Sequence, residues 1–340
     1  MLHPEHNAAS ATASSYPDTA AGRDRWILER RGSRREVDAA KPYAFLVEPE
    51  RSASGEVVSV ATVLLTNREC PWRCLMCDLW QNTLAASVPP GAIPAQIDFA
   101  LSQLPVARQI KLYNSGSFFD ARAIPVEDHP AIAERVRRFE RVIVECHPAL
   151  VGESAVRFRD QLASGGRTVP VLEVAMGLET IHPEVLPRLN KRMTLEMFAG
   201  AAEFLRRYGI ALRVFVLVKP PFLEEGEAVE WAQRSAAFAF ECGATAVTLI
   251  PTRLGNGAME ELVRRGEFAP PRLETFEAAV DAVLGEARCR VFADTWDLER
   301  FSNCPECFAR RKERLECINL SQAGEARIHC ATCGTLTARS

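Results

Sequence analysis

Three cysteines fall within eight positions of the chain, Cys70, Cys74 and Cys77 in the run ECPWRCLMCDLW, spaced C-x3-C-x2-C with no fourth cysteine nearby. Three thiolates on one short loop can converge on a single centre. Structural zinc takes four protein ligands in a tetrahedron; catalytic zinc manages with three plus water, although all-thiolate triads are uncommon there. A cubane [4Fe–4S] cluster held by three thiolates keeps one iron open for a further ligand, which suits an enzyme better than an electron carrier. The residues admit both, and the open iron favours the cluster.

A second set lies near the C-terminus. CPEC and CATC place Cys304, Cys307, Cys330 and Cys333 in two C-x2-C knuckles with 22 residues between them. Each knuckle can chelate one side of a tetrahedron, so this spacing predicts zinc, with an auxiliary [4Fe–4S] cluster as the alternative. Such a metal would pin a tail that has no core of its own. Cys317 and His329 are spare ligand candidates. Arg310, Arg311, Lys312 and Arg314 lie between the knuckles and suggest a role in holding RNA or a partner, against the plainer reading of a solvated helix face. Eleven cysteines clustered in this way point to metal in a reducing compartment rather than to disulfides. Cys146, Cys242 and Cys289 stand singly in apolar stretches and read as small hydrophobes.

The elements that position these cysteines alternate. YAFLVEPE, the turn SASGE and VVSVATVLLT read as a hairpin over 43–66, and the first cysteine follows its second strand by four residues. Further strands are expected at 108–115, 141–148, 170–179, 211–218 and 244–251. A helix capped by Thr194 keeps Leu195, Phe198, Ala199, Ala202 and Leu205 at helical spacing before Gly209. Six β-then-α steps imply a parallel sheet with right-handed crossovers. Six is fewer than the eight of a closed barrel, so the expectation is an α/β fold with an open, partial (β/α)6 barrel. Chemistry in such folds gathers at the C-terminal ends of the strands, where the three-cysteine loop falls.

The expected organisation is a disordered polar tail over 1–35, an N-terminal extension and hairpin over 36–55, the partial barrel over 56–295, and a small cysteine-rich metal module over 296–340. At 340 residues, 47% hydrophobic and 25% charged, the composition is that of a soluble globular protein. There is no apolar run of membrane-spanning length and no secretory signal, so a cytoplasmic location is the default expectation. The net charge of −3 gives no global basic footprint for nucleic acid.

With its strand context, the C-x3-C-x2-C loop resembles that of the radical S-adenosylmethionine (SAM) superfamily. That resemblance implies a [4Fe–4S] cluster whose open iron chelates SAM and whose electron cleaves it to a 5′-deoxyadenosyl radical. It also implies a reduced flavodoxin- or ferredoxin-type electron donor. NSGSFFD is similar to the family's glycine-containing segment, making Ser115, Gly116 and Ser117 cofactor-binding candidates, although the usual terminal Glu is missing. GLETIHPEVLPRLNKRMT is similar to a segment in the branch containing the elongator catalytic subunit and the tRNA methylthiotransferases. By that match Glu179 and Lys191 contact the cofactor. Met76 stands where an aromatic residue usually packs near the adenine, a surface that Trp72 or Trp80 could supply instead.

SGSFFD, ECHPALV and VLVKPPFLEEGEA look most like the archaeosine synthase radical SAM subunit family, which cleaves a C–N bond of a lysine-derived adduct on a deazaguanine base of tRNA. The resemblance implies a tRNA nucleoside as substrate and a partner enzyme that prepares it. Glu145, His147 and Lys219, near expected strand ends, are substrate-side catalytic candidates. Two other readings remain open: radical chemistry on a small metabolite or protein side chain, and a non-catalytic zinc-binding interaction protein.

Overall fold

The computed structural model describes residues 15–164 and 169–334. A first helix, α1 (Ala20–Arg30), lies inside the stretch read above as a polar tail, whose residues 1–14 fall outside the described residues. Thr19 caps it by accepting the Gly22 N–H, and Trp26 and Ile27 are buried. Polar composition hid the helix because only these two residues carry its packing.

One eight-stranded sheet follows in simple chain order. Strand β1 (Ala44–Arg51) pairs antiparallel with β2 (Val57–Leu64) across the expected hairpin turn, where Gly55 adopts φ +84°. After α2 (Ala92–Leu101) come β3 (Gln109–Tyr113), α3 (His129–Val136), β4 (Arg141–Glu145), α4 (Glu153–Ala163) and β5 (Val171–Glu179). A single-turn α5 (Val185–Arg188) and the longer α6 (Leu195–Arg207) lead to β6 (Ala211–Val218), α7 (Ala228–Glu241) and β7 (Ala246–Pro251). The chain ends with α8 (Ala258–Arg264), α9 (Leu273–Gly285), β8 (Arg290–Ala293) and α10 (Pro305–Ser321). Every pairing from β2 to β8 is parallel.

The partial barrel is therefore as expected, with one strand more. The sequence reading found six parallel strands and passed over β8, whose four residues are too short for a periodic signal. Helix α6 follows its expectation closely: Thr194 Oγ1 accepts the Met197 N–H at 3.2 Å, and Phe198, Ala202 and Leu205 are buried. Gly209 ends it at φ +65°, a left-handed position natural to glycine. In β6 six of eight residues are buried, as a strand covered on both faces requires.

Among the described residues β1 and β8 share no ladder, so the sheet stays open. Side chains span the gap: Arg290 donates to the Arg51 carbonyl at 3.2 Å and Trp296 Nε1 to Glu48 at 3.0 Å. The lumen near the N-terminal ends of the strands holds an ionic network instead of an apolar core. Glu173, fully buried on β5, binds Arg213 and Arg141 at 2.6 Å each, and Glu50 binds Arg213 at 2.6 Å and Lys111 at 2.5 Å. Burial alone would raise the Glu50 carboxyl, but Arg213 and Lys111 outweigh it and hold it well below the usual range. This polar plug fills one end of the lumen and leaves chemistry to the opposite rim. No described helix is long and apolar enough to cross a membrane.

Candidate active site and candidate metal centre

The three-cysteine loop leaves β2 at the C-terminal rim, and its exit is held rigidly. Buried Gln96 of α2 accepts the Thr66 N–H and donates to the Thr66 carbonyl, both at 2.8 Å. The loop backbone is then fixed from three sides. Leu75, fully buried, donates its N–H to Leu189 O at 2.9 Å. Asn256 Nδ2 reaches Leu75 O at 2.7 Å and Cys77 O at 3.2 Å, while Asn190 Nδ2 reaches Arg73 O at 2.8 Å. Leu75 belongs to a second small core with Tyr16, Trp26, Ile27, Met259 and Phe268, so α1 and α8 clamp the loop from outside. Gly257 makes that clamp possible, since a Cβ there would stand 1.8 Å from Arg30 O.

Within this frame Cys70, Cys74 and Cys77 are partly buried free thiols. Burial pushes each up to about 12, so they stay protonated until a cation replaces the protons.

Ser115, Gly116 and Ser117 follow β3 and lie directly beside the loop. A Cβ on Gly116 would stand 3.4 Å from Cys70 Cβ. Ser115 takes φ +53°, and its hydroxyl meets Tyr43 Oη at 3.1 Å. Ser117 Oγ accepts the His147 N–H at 2.9 Å. Glu145, the last residue of β4, turns its carboxylate under this segment, accepting the Asn114 N–H at 2.9 Å, with the backbone N–H groups of Ser115 and Gly116 near enough to favour its charged form. Burial raises the Glu145 carboxyl to about 7, against those donors. Its placement is thus that of a brace for the glycine segment.

Four more residues form a connected chain of contacts. Trp72 stacks on His147 with ring centroids 3.8 Å apart and planes 13° from parallel. His147 Nε2 donates to the Lys191 carbonyl at 2.9 Å while Nδ1 accepts the Ala149 N–H at 3.2 Å, which together select one neutral tautomer. Burial, then the nearby Lys191 ammonium, lowers His147 to about 4. Lys191 Nζ in turn pairs with Glu179 Oε1 at 2.6 Å, both side chains largely buried. Burial would lower the Lys191 ammonium, but the Glu179 carboxylate holds it above its ordinary value. The pair lies over Gly177, where a Cβ would be 2.2 Å from Glu179 Oε1 and 2.5 Å from Lys191 Nζ.

The remaining expected site residues are placed elsewhere. Lys219 follows β6 and is engaged by Glu225 at 2.7 Å, apart from the contacts just described. Met76 packs against the small core under α1. Trp80 is buried with the Arg31 guanidinium 4.7 Å from its ring centroid, so of the two tryptophans only Trp72 lies beside His147. Sequence reasoning missed Gln96, Asn190, Asn256, Tyr43 and Gly177. Polar residues that bind loop backbone from distant segments leave no local pattern, whereas Gly177 beside Glu179 was visible as a glycine two residues from an expected ligand.

At the C-terminus Cys304, Cys307, Cys330 and Cys333 present four sulfurs within 4.8 Å of one another, a set able to hold a metal ion. Cys304 caps α10 and Cys307 lies in its first turn, both buried. Cys304 Sγ is 3.8 Å from Cys330 Sγ, and Cys307 Sγ is 3.8 Å from Cys333 Sγ. Backbone N–H groups of Cys333 and Thr332 directed at Cys330 hold its thiol down to about 6. Cys317 and His329 are exposed and stand outside the set.

Two of the four basic residues between the knuckles are engaged within the fold. Arg311 is buried and pairs with Glu277 and Glu274, and Arg314 pairs with Asp281 at 2.5 Å and takes the carbonyls of Glu325 and Ala326. Both guanidinium groups fasten α10 to α9, a use that local sequence could not distinguish from a solvated face.

No family model matches the chain. In sequence it is similar to an uncharacterised protein of Methanocaldococcus jannaschii, 25% identical over 87% of this chain and 86% of that one. It is similar to archaeosine synthase subunit beta of Methanosarcina acetivorans, 30% identical over 65% of each chain. The match thus spans just under two thirds of that subunit's length. Among solved structures it is similar to the radical SAM methyltransferase TsrM of Kitasatospora setae, with 18% identity, 58% of this chain and 36% of that chain covered, and a TM-score of 0.41.

Proposed function

We propose that this chain is a radical S-adenosylmethionine enzyme that holds a [4Fe–4S] cluster on Cys70, Cys74 and Cys77 and acts on a modified tRNA nucleoside. The observation that carries the first part is the pairing of three partly buried loop thiols with a glycine segment whose Gly116 stands beside Cys70. When bound, the group supplies one-electron reductive cleavage of the SAM sulfonium and hence a 5′-deoxyadenosyl radical for hydrogen abstraction.

The chain's own residues would do the positioning. Gly116 lets a ligand approach its backbone beside Cys70, and Glu145 keeps that backbone in place. Glu179 and Lys191 offer one carboxylate and one ammonium to the zwitterionic methionyl end or the ribose of SAM. Trp72, fixed by its stack on His147, presents an aromatic surface near the thiols. Clamping by α1 and α8 holds the loop in place. Lys219 remains a substrate-side candidate through its place at the end of β6.

The substrate reading is supported by similarity to archaeosine synthase subunit beta. The four C-terminal thiols are proposed to hold zinc. A tetrahedron with Zn–S bonds of about 2.3 Å has sulfur–sulfur edges of about 3.8 Å, the separation of both cross-knuckle pairs. Thiolates on separate irons of a cubane stand further apart. The test is product analysis after anaerobic incubation of iron-loaded protein with dithionite, SAM and bulk tRNA. Formation of 5′-deoxyadenosine stimulated by tRNA, with a changed nucleoside in the digest, supports the reading. Turnover indifferent to tRNA but stimulated by a small metabolite would replace it.

A further inference from the structure

A cavity of about 340 Å³ opens beside the three-cysteine loop, and its wall includes Cys70. Four arginines line it, Arg34, Arg68, Arg73 and Arg122, against one carboxylate, Glu69. That carboxylate is already shared: it binds Arg31 at 2.6 Å, Arg73 at 3.2 Å and Arg34 as well. Arg122 is 57% exposed and makes a 3.4 Å contact with Asp120, while no hydrogen bond or ion pair among the described residues engages the Arg68 side chain. The cavity therefore carries an uncompensated positive excess on a chain whose net charge is −3. An excess so local to the thiol loop calls for an anion at that place.

We propose that this cavity is a phosphate site for the RNA backbone of the substrate, and that it sets the nucleoside over the loop. The inference rests on the tRNA reading above and adds where the polynucleotide is held. Guanidinium forks match phosphate oxygens in pairs, and arginine is only weakly hydrated, so a recess lined by several favours phosphate over water. The recess has the scale of one phosphate with its flanking sugar. An acidic protein, such as an electron carrier, would offer carboxylates on a convex face and fits a recess of this size less well. Position adds to the case: a phosphate bound against Cys70 brings the adjoining nucleotide to the rim where Gly116 and the loop thiols meet. Arg311 and Arg314 between the C-terminal knuckles, occupied by Glu277 and Asp281, are not available for this task.

The test is tRNA binding by iron-loaded wild type, by Arg122→Ala and by Arg68→Ala/Arg122→Ala, each titrated at several KCl concentrations. Each phosphate contact adds about 0.7–0.9 to the slope of log affinity against log salt. The double variant is expected to bind all tRNAs more weakly, with a slope shallower by about 1–2, and the single variant to fall between. Iron content and dithionite-driven SAM cleavage without RNA should match wild type. If the double variant binds tRNA with wild-type affinity and slope, the cavity holds no phosphate, although the tRNA reading stands. If wild type itself binds no tRNA, that reading fails and takes this inference with it. If tRNA binding is unchanged but reduction by a flavodoxin-type carrier is lost while dithionite still works, the cavity receives an acidic protein and the proposal is overturned.

Discussion

Trp72 lies flat on His147, and through His147 Nε2 it is tied to the Lys191 carbonyl 44 residues further along the chain. The loop that carries the thiols and the segment that carries the Glu179–Lys191 pair are thereby joined by one aromatic stack. Its rigidity depends on a neutral imidazole, because Nδ1 accepts a backbone N–H and could not do so when protonated.

That requirement has a pH consequence. His147 and His129 are both lowered to about 4 from an ordinary 6.5, chiefly by burial. Between these values the unfolded chain binds the proton and the folded one does not, so each histidine's contribution is complete above 6.5 and falls as pH drops toward 4, while Glu145, raised to about 7, gains stability over much of the same window and offsets part of the loss. Each histidine should cost about 2 kcal/mol by roughly pH 5. His129 Nε2 is buried without a hydrogen-bond partner, and its ring packs on Phe118 at 5.4 Å. His129→Phe should therefore keep or raise stability at neutral pH and remove the loss of about 2 kcal/mol that His129 brings by roughly pH 5. Urea unfolding at two pH values checks both outcomes; an unchanged pH dependence would contradict the assignment.

Gly177 should tolerate no side chain. In Gly177→Ala the new methyl collides with the Glu179–Lys191 pair, and the strain should cost about 1–3 kcal/mol. If that pair positions SAM, 5′-deoxyadenosine formation should fall tenfold or more while iron content stays near wild type. Gly200→Ala is the control: it lies in α6, exposed, with nothing near its missing Cβ. There the change should be neutral or stabilising by up to about 1 kcal/mol. Equal effects at both glycines would argue against the role of the pair.

Arg311 and Arg310 should separate structure from binding in the C-terminal helix. Arg311→Ala removes the partner of buried Glu277 and should destabilise by about 3–5 kcal/mol. Arg310→Ala, at an exposed position, should stay within about 0.5 kcal/mol. Neither should change the salt dependence of tRNA binding, which anisotropy titrations would measure.

The two metal sites should be separable. Cys330→Ser is expected to lose the zinc of the tail and to lower the melting temperature, while iron and sulfide per chain remain as in wild type. Metal analysis of anaerobically prepared protein reads both at once. Loss of iron along with zinc would show that the tail thiols hold a second iron–sulfur cluster.

Much of this was legible in the sequence. Cysteine spacing anticipated the four thiols that the structure gathers at the C-terminus, and six of the seven parallel strands announced themselves through β-branched runs between turns. Glu179, Lys191 and His147 were singled out separately, and the structure links them in one chain of contacts. Other features were hidden for physical reasons. Helix α1 buries only Trp26 and Ile27, too little for an amphipathic pattern. Glu145 was expected to face substrate, but its carboxylate braces the backbone at Asn114, and a hydrogen bond from strand end to loop has no sequence signature. Arg311 and Arg314 look like a solvated basic run until α9 supplies their carboxylates.

The central claim is a SAM-cleaving iron–sulfur cluster on three thiols, and one comparison tests it most directly. Wild type and Cys74→Ala are loaded with iron and sulfide without oxygen, reduced with dithionite and given SAM, and 5′-deoxyadenosine is measured together with iron per chain. The account predicts about four irons and steady 5′-deoxyadenosine for wild type, and neither for Cys74→Ala, whose tail zinc is retained. A wild-type protein that takes up only zinc under these conditions and leaves SAM intact would contradict it.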